Sequence, residues 1–88
     1  MDIRKRASAG TMESSDAYVE IEPSVGIQVN LESVVQGQFG QSIHQTVREV
    51  LAEQEIENAS VHIVDRGALE CVLRARVETA ILRGKGEV

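Results

Sequence analysis

The chain has 88 residues, enough for one small domain but too few for a deep catalytic cleft, so we expect a carrier, adaptor or subunit. Its formal net charge of -5 argues against nucleic acid as a partner, because phosphates attract a basic face. The single cysteine, Cys71, excludes an intramolecular disulfide, and the two scattered histidines form no metal cluster, which favours a reducing cytoplasm. No stretch approaches the ~20 apolar residues that span a bilayer, so we expect no membrane association.

The N-terminal residues are polar, and a short basic segment, Arg4 to Arg6, opens them. We expect one domain over 1–88 with mobile ends near 1–8 and 83–88. Residues 7–13 are candidates for an edge strand that reaches the next strand through a turn at Ser14 and Ser15. This turn places hydroxyls beside acids, which is typical either of an ordinary surface turn or of a site for covalent modification.

Two alternating segments follow, over residues 17–22 and 27–31, and each has apolar residues at every second position. This period is typical of half-buried strands. The intervening Pro23-Ser24-Val25-Gly26 contains residues that reverse a chain, so the two segments are predicted to pair as a hairpin.

A helix is predicted after Ser33, which is a good N-cap, with Gln36 completing a capping box. Gly37 and Gly40 disfavour a helix interior and suggest close approach of another backbone. His44 falls on the polar side. The apolar stripe comprises Val35, Phe39, Ile43, Val47, Val50 and Leu51.

A short β-branched run over 59–64 predicts another strand, with His62 on the face opposite Val61 and Ile63. Asp65 is positioned to cap a final helix. One face of that helix is apolar, and we expect it to fray beyond Leu82. The members of the apolar face are Leu69, Val72, Leu73, Val77, Ala80 and Ile81.

Arginines gather in the later half of the final helix, at Arg74, Arg76 and Arg83. Either they complement the helix dipole, or they bind a phosphate or a partner.

The element order β-β-α-β-α, with or without the extra N-terminal strand, predicts an α+β fold. It is a small two-layer domain with two helices packed on one face of a three- or four-stranded sheet. Nothing in the chain resembles a nucleophile with its base, so we expect no catalytic residue and no metal ligand.

Three ordered blocks carry a resemblance to a known family: AGTMESSD at residues 9–16, QFG at 38–40 and DRGALECVLRAR at 65–76. In these blocks the chain resembles the acyl carrier protein, or gamma subunit, of citrate lyase. The resemblance implies that Ser14 carries phosphoribosyl dephospho-coenzyme A through a phosphodiester, with Ser15 as the nearest rival hydroxyl.

The same resemblance implies a cycle in which the thiol of this arm holds the acyl group. The alpha subunit, an acyl transferase, exchanges acetyl for citryl, and the beta subunit, a lyase, releases oxaloacetate. A separate transferase attaches the arm. The alternative is an unmodified structural adaptor that uses the Gly37/Gly40 helix face, and an independent small enzyme would need catalytic groups that the sequence does not show.

Overall fold

Residues 2–33 and 38–87, which the computed structural model describes, form four strands and two helices. The elements are β1 (Ala7–Gly10), β2 (Ala17–Glu22), β3 (Ile27–Ser33), α1 (Gln38–Glu53), β4 (Ala59–Asp65) and α2 (Glu70–Lys85). The sheet order is β1-β2-β4-β3. Both helices pack on one face of this sheet, which confirms the two-layer α+β prediction in its four-stranded form.

The N-terminal edge strand is confirmed, although it is shorter than residues 7–13. β1 pairs antiparallel with β2, with Ala7 opposite Ile21 and Gly10 opposite Tyr18. The connection between them, residues 11–16, therefore forms the loop of a β1–β2 hairpin and contains both serines.

The predicted hairpin between β2 and β3 is wrong, because β4 lies between these two strands. β4 runs antiparallel to β2 and parallel to β3, so β3, α1 and β4 form a crossover unit. Val61 and Ile63 of β4 are fully buried, whereas Val29 and Leu31 of β3 are only half-buried. β4, whose inward side chains are buried, thus lies inside the sheet and β3 forms an edge, and an alternating pattern does not specify which strands are neighbours.

The core lies between the sheet and the helices. Burial of each large aliphatic side chain contributes roughly 1.5–3 kcal/mol, so this layer dominates the stabilisation. The largest fully buried side chains are Val19, Ile21, Val47, Val50, Leu51, Val61, Ile63, Val77 and Ile81.

The opposite sheet face carries polar side chains. His62 lies there, as predicted, opposite Glu20 and Asn30 on the neighbouring strands. Its Nε2 atom is 2.8 Å from a carboxylate oxygen of Glu32.

Of the two predicted helix caps, Asp65 is wrong, and the Ser33 capping box stays a prediction because it involves residues outside the described ones. Ser33 ends β3 and donates its hydroxyl to Asp65 at 2.9 Å, and its predicted partner Gln36 lies outside the described residues, as do Val35 and Gly37. Asp65 does not cap α2, whose N-cap is Leu69. Instead, the Asp65 carboxylate accepts the N–H groups of Gly67 and Ala68 and shapes the loop before the helix.

The ends of the chain make specific contacts. Ile3 is buried, and the N–H groups of Arg4 and Lys5 both donate to the carbonyl of Gly84. The fraying expected beyond Leu82 is wrong as regards secondary structure, because α2 continues to Lys85 and ends at a left-handed Gly86. The mobility expected near 1–8 and 83–88 stays a prediction.

Gly40 makes no close approach to another element among the described residues. The nearest of their atoms to a Cβ added at Gly40 would be a Leu31 methyl carbon at 3.9 Å, which is an ordinary contact. Leu69, which was predicted on the apolar face of α2, precedes the helix and is 70% exposed.

We predict that Gly10→Ala destabilises the fold far more than Gly26→Ala. Both glycines have a positive φ, which costs alanine about 1–2 kcal/mol, but only at Gly10 would the Cβ also collide with the Ala17 carbonyl oxygen, 1.8 Å away. Urea denaturation should therefore show a loss above about 2 kcal/mol for Gly10→Ala and a smaller loss for Gly26→Ala. Equal losses would contradict the described approach of β1 to β2.

Candidate functional site

The candidate site is the loop of residues 11–16, which we call the serine loop, together with the neighbouring loop of residues 66–69. The antiparallel register, with Ala17 opposite Asp65, brings the start of β2 and the end of β4 to one edge of the sheet. Both loops therefore lie at the same end of the molecule.

Backbone hydrogen bonds fasten the two loops to each other. The Ser15 N–H donates to the Arg66 carbonyl at 2.8 Å, and the Arg66 N–H donates to the Asp16 carbonyl at 2.9 Å. These bonds continue the β2–β4 pairing beyond the ends of both strands. The position of the serine loop is thus set by its hydrogen bonds to the end of β4.

Ser14 lies at the second position of a four-residue turn that the Asp16 N–H closes on the Glu13 carbonyl at 3.2 Å. Ser15, at the third position, has φ 67, which is typical of a type II turn. Ser14 is exposed, and its hydroxyl makes no hydrogen bond within residues 2–33 and 38–87. The turn therefore leaves this hydroxyl accessible from solvent.

The Asp16 carboxylate holds the far side of the turn. Its two oxygens accept Arg76 Nε at 2.9 Å and Arg76 Nη2 at 3.0 Å, a bidentate ion pair with α2. The Thr11 hydroxyl donates to one oxygen and the Ala17 N–H to the other, each at 2.7 Å. The Arg76 hydrogen bonds, followed by those of Thr11 and Ala17, hold the pKa of Asp16 well below its usual range.

The clustered arginines of α2 bind within the chain. Arg76 bonds the serine loop, whereas Arg74 joins α2 to α1 through Glu49 and Glu53, with its shortest contact at 2.8 Å. Arg83 donates to the carbonyl of Ser8 in β1. These arginines thus join α2 to the serine loop, to α1 and to β1, a structural role that neither the dipole interpretation nor the ligand interpretation specified.

Arg66 differs from those arginines. It is exposed, and its guanidinium forms no hydrogen bond or ion pair with the part of the chain that the structure describes. Its backbone is bonded directly to the serine loop. The chain therefore carries a cationic residue, unpaired within the described part, at a position whose backbone is bonded to the serine loop.

The site shows no pairing of a nucleophile with a base. Ser14 has no side-chain partner among the described residues, His62 lies on the opposite sheet face with Glu32, and His44 lies on α1. The described ranges contain no group of three potential metal ligands. They also contain no helix long and apolar enough to cross a membrane. The geometry suits a point of attachment.

The sequence placed both serines correctly in a surface turn but missed Arg76 as the residue that anchors it. A signal was available, because Arg76 stands next to Val77 and three or four positions from Leu73 and Ala80, all of them buried. An arginine at the edge of a buried helix face needs a carboxylate partner more than a fully solvated arginine does.

A family model described as malonate decarboxylase delta subunit (MdcD), an acyl carrier protein family, matches residues 4–84. The citrate lyase acyl carrier protein 2 of Salmonella typhimurium is 55% identical over 85 residues, covering 94% of this chain and 88% of that protein. The citrate lyase acyl carrier protein of Klebsiella pneumoniae is 52% identical with the same coverage.

Among solved structures, the chain is similar to one in a Pseudomonas malonate decarboxylase hetero-tetramer in complex with malonate. The TM-score is 0.68 at 28% identity, covering 96% of this chain and 84% of that one.

We predict that Asp16→Asn and Arg76→Gln both loosen the serine loop, because each removes the bidentate ion pair. Amide hydrogen exchange at Ala17 should accelerate in both variants. Arg74→Gln is the matched control, since it breaks an arginine pair of the same helix that joins α1 and not the loop. Equal acceleration in all three variants would show that the Asp16–Arg76 ion pair does not specifically hold the serine loop.

The stabilisation from Asp16 should depend on pH in a defined direction. Its pKa is lowered in the folded protein, so the contribution is complete above the ordinary aspartate pKa of about 3.9 and is lost as the pH falls toward the lowered value. The difference in unfolding free energy between the parent protein and Asp16→Asn should shrink below about pH 4. A constant difference from pH 7 to pH 3 would contradict this role.

Proposed function

Since this chain belongs to the family of citrate lyase acyl carrier proteins and malonate decarboxylase delta subunits, we propose that Ser14 bears its covalent arm. The family makes the chain an acyl carrier. We propose further that it is the carrier subunit of citrate lyase.

The observation that carries this proposal is the state of the Ser14 hydroxyl. It is exposed at the corner of a turn whose two sides are fixed, by the Ser15–Arg66 hydrogen bond and by the Asp16–Arg76 ion pair. Modification at this oxygen disturbs no described hydrogen bond. Ser15 suits attachment less well, because its left-handed backbone and its bonded N–H are part of the turn itself.

We propose phosphoribosyl dephospho-coenzyme A as the arm, joined to Ser14 through a phosphodiester. When bound, this group supplies a thiol that holds an acyl group as a thioester. The chain contributes an accessible oxygen and, at Arg66, a free guanidinium that offsets the negative charge of nearby phosphates. The acids Glu13 and Asp16 also flank Ser14, and Asp16 is already neutralised by Arg76.

Citrate is favoured over malonate as the substrate of the complex. The relatives named as citrate lyase carriers are 52% and 55% identical, whereas the chain from the malonate decarboxylase hetero-tetramer is 28% identical. Substrate choice belongs to the larger subunits, which we propose to be the alpha acyl transferase and the beta lyase. This carrier supplies no general acid, general base or metal ligand to either step.

The end of the molecule that presents Ser14 also exposes apolar side chains. Met12 is 51% exposed in the serine loop, and Leu69 is 70% exposed in the loop bonded to it. Large exposed apolar residues beside a modification site suit contact with the attaching transferase and with the two catalytic subunits. We place this assembly in the cytoplasm, where the exposed thiol of Cys71 stays reduced.

We predict that Ser14→Ala abolishes loading and that Ser15→Gly does not. Glycine adopts the positive φ of residue 15 at least as readily as serine, so the control variant removes the rival hydroxyl and keeps the turn. Each variant should be produced together with the attaching transferase and weighed intact by mass spectrometry. One added arm per chain is expected in the parent protein and in Ser15→Gly, and none in Ser14→Ala.

Loading of Ser14→Ala together with loss of loading in Ser15→Gly would move the site to Ser15. No loading of the parent protein, with the complex still assembled and active, would instead favour the unmodified adaptor.

A further inference from the structure

An open groove of about 330 Å³ lies between α1 and the loop that leads into α2. Ile43, Ala68 and Leu73 supply its apolar lining, and Ser42 and Thr46 add hydroxyl groups. Pockets for small ligands have the same composition, which is mostly apolar with a few polar groups that fix orientation.

Thr46 contributes a deeply buried hydroxyl group to this groove. The residue is only 5% exposed, yet its hydroxyl has no hydrogen-bond partner within residues 2–33 and 38–87. In that part of the chain, every side-chain polar atom that lacks a partner keeps some exposure to solvent. The Thr46 hydroxyl therefore keeps some exposure as well, and it faces the groove that Thr46 lines. Polar groups this deeply placed normally have a partner, and here the space for one is the groove itself.

The groove begins close to the proposed attachment point. Arg66 is bonded to the N–H of Ser15, and Gly67, the next residue, already lines the groove. Two chain steps of roughly 3.8 Å and one cross-strand step of about 5 Å separate Ser14 from Gly67 along this path, so the two residues lie within about 13 Å of each other. A group anchored at Ser14 therefore meets the groove at high effective concentration, without any diffusive search.

We propose that this groove is the resting site for the thiol end of the arm, an inference that rests on Ser14 being the attachment point. The available 330 Å³ is near the lower limit for ligand pockets, so it accommodates the amide and thiol portion and leaves the nucleotide outside. Thr46 and Ser42 offer hydroxyls to the amide groups of that portion. The Arg66 backbone links the serine loop to the groove, and its guanidinium, unpaired among the described residues, is available to the phosphates of the arm.

The charge of the groove discriminates between the states of the thiol. Its lining includes two acidic residues, the exposed Glu70 and the buried Asp65, and the described lining residues include no cation. A free thiol or an acetyl thioester is neutral and is accepted, whereas a citryl group carries carboxylates that these two acids repel. The carrier thereby shelters its arm between cycles and releases it once it is charged with citrate.

The test uses loaded protein with Cys71→Ser, because the exposed Cys71 thiol would compete in every thiol assay. Intact mass first establishes that the arm is present. Backbone amide shifts of the loaded and unloaded forms are then compared. We expect changes at the groove residues Ser42, Thr46, Gly67 and Ala68 in addition to those in the serine loop.

Two variants probe the groove itself. Ala68→Leu fills it, and Thr46→Val removes the hydroxyl while keeping the shape. We expect Ala68→Leu to erase the groove shifts and to raise the alkylation rate of the arm thiol at least threefold, with a smaller rise for Thr46→Val. Equal alkylation rates in all loaded proteins would overturn the proposal.

Two alkylating agents that leave groups of similar size but different charge on the thiol test whether the groove rejects anionic groups. Iodoacetamide leaves a neutral cap on the thiol, and iodoacetate leaves an anionic cap of nearly the same size. The neutral cap should keep the groove shifts and the anionic cap should lose them, and retention with both caps would overturn the discrimination.

Failure of this proposal is distinguishable from failure of the proposed function. If intact mass shows no arm on the parent protein, the attachment proposal fails. If the arm is present on Ser14 but shifts are confined to the serine loop, only the resting site is wrong.

Discussion

The rest of this site depends on one constraint: hydrogen bonds fasten the serine loop to the end of β4. An isolated polar turn with an exposed serine would sample many conformations, and ordering it costs roughly 1–2 kcal/mol per residue in backbone entropy. Here the Ser15–Arg66 hydrogen bond extends the β2–β4 pairing into the turn, and the Asp16–Arg76 ion pair joins its far side to α2. Hydrogen bonds on both sides therefore fix the backbone around Ser14, and an arm attached there would start from a defined position on the domain.

The sheet order explains how one end of a small domain collects everything a carrier needs. With β4 in the centre, its carboxyl end adjoins the start of β2, and the crossover from β3 places α1 beside the loop that enters α2. The serine loop, the loop of residues 66–69 with the exposed Leu69, and the groove at Thr46 thus lie at one end of the sheet. On the proposed function, a carrier works by presenting its arm, and the fold provides one surface for this purpose.

Local patterns in the sequence predicted the elements well but not their arrangement. Period-two alternation in residues 17–22 and 27–31 correctly indicated strands and their buried faces, because burial of one face is a local property. It could not show that β4 inserts between them, since neighbour order depends on which apolar strand best fills the centre. Asp65 resembled a helix cap because its carboxylate does bond the N–H groups two and three residues on, at Gly67 and Ala68, as a cap would. Local spacing could not show that α2 begins only at Glu70 or that the same carboxylate also accepts the Ser33 hydroxyl. The serine turn was predictable from composition, whereas its anchor at Arg76 lies 60 residues away and has no local signal beyond an arginine beside buried positions.

The central claim is that Ser14 carries an acyl-bearing arm, and peptide mapping of the protein isolated from its own cells tests it most directly. Tandem mass spectrometry of the peptide that spans the serine loop should locate a single phosphodiester-linked nucleotide and thiol group on residue 14, with acetyl on the thiol in part of the population. An unmodified peptide from active complex, or the group on another residue, would contradict the account.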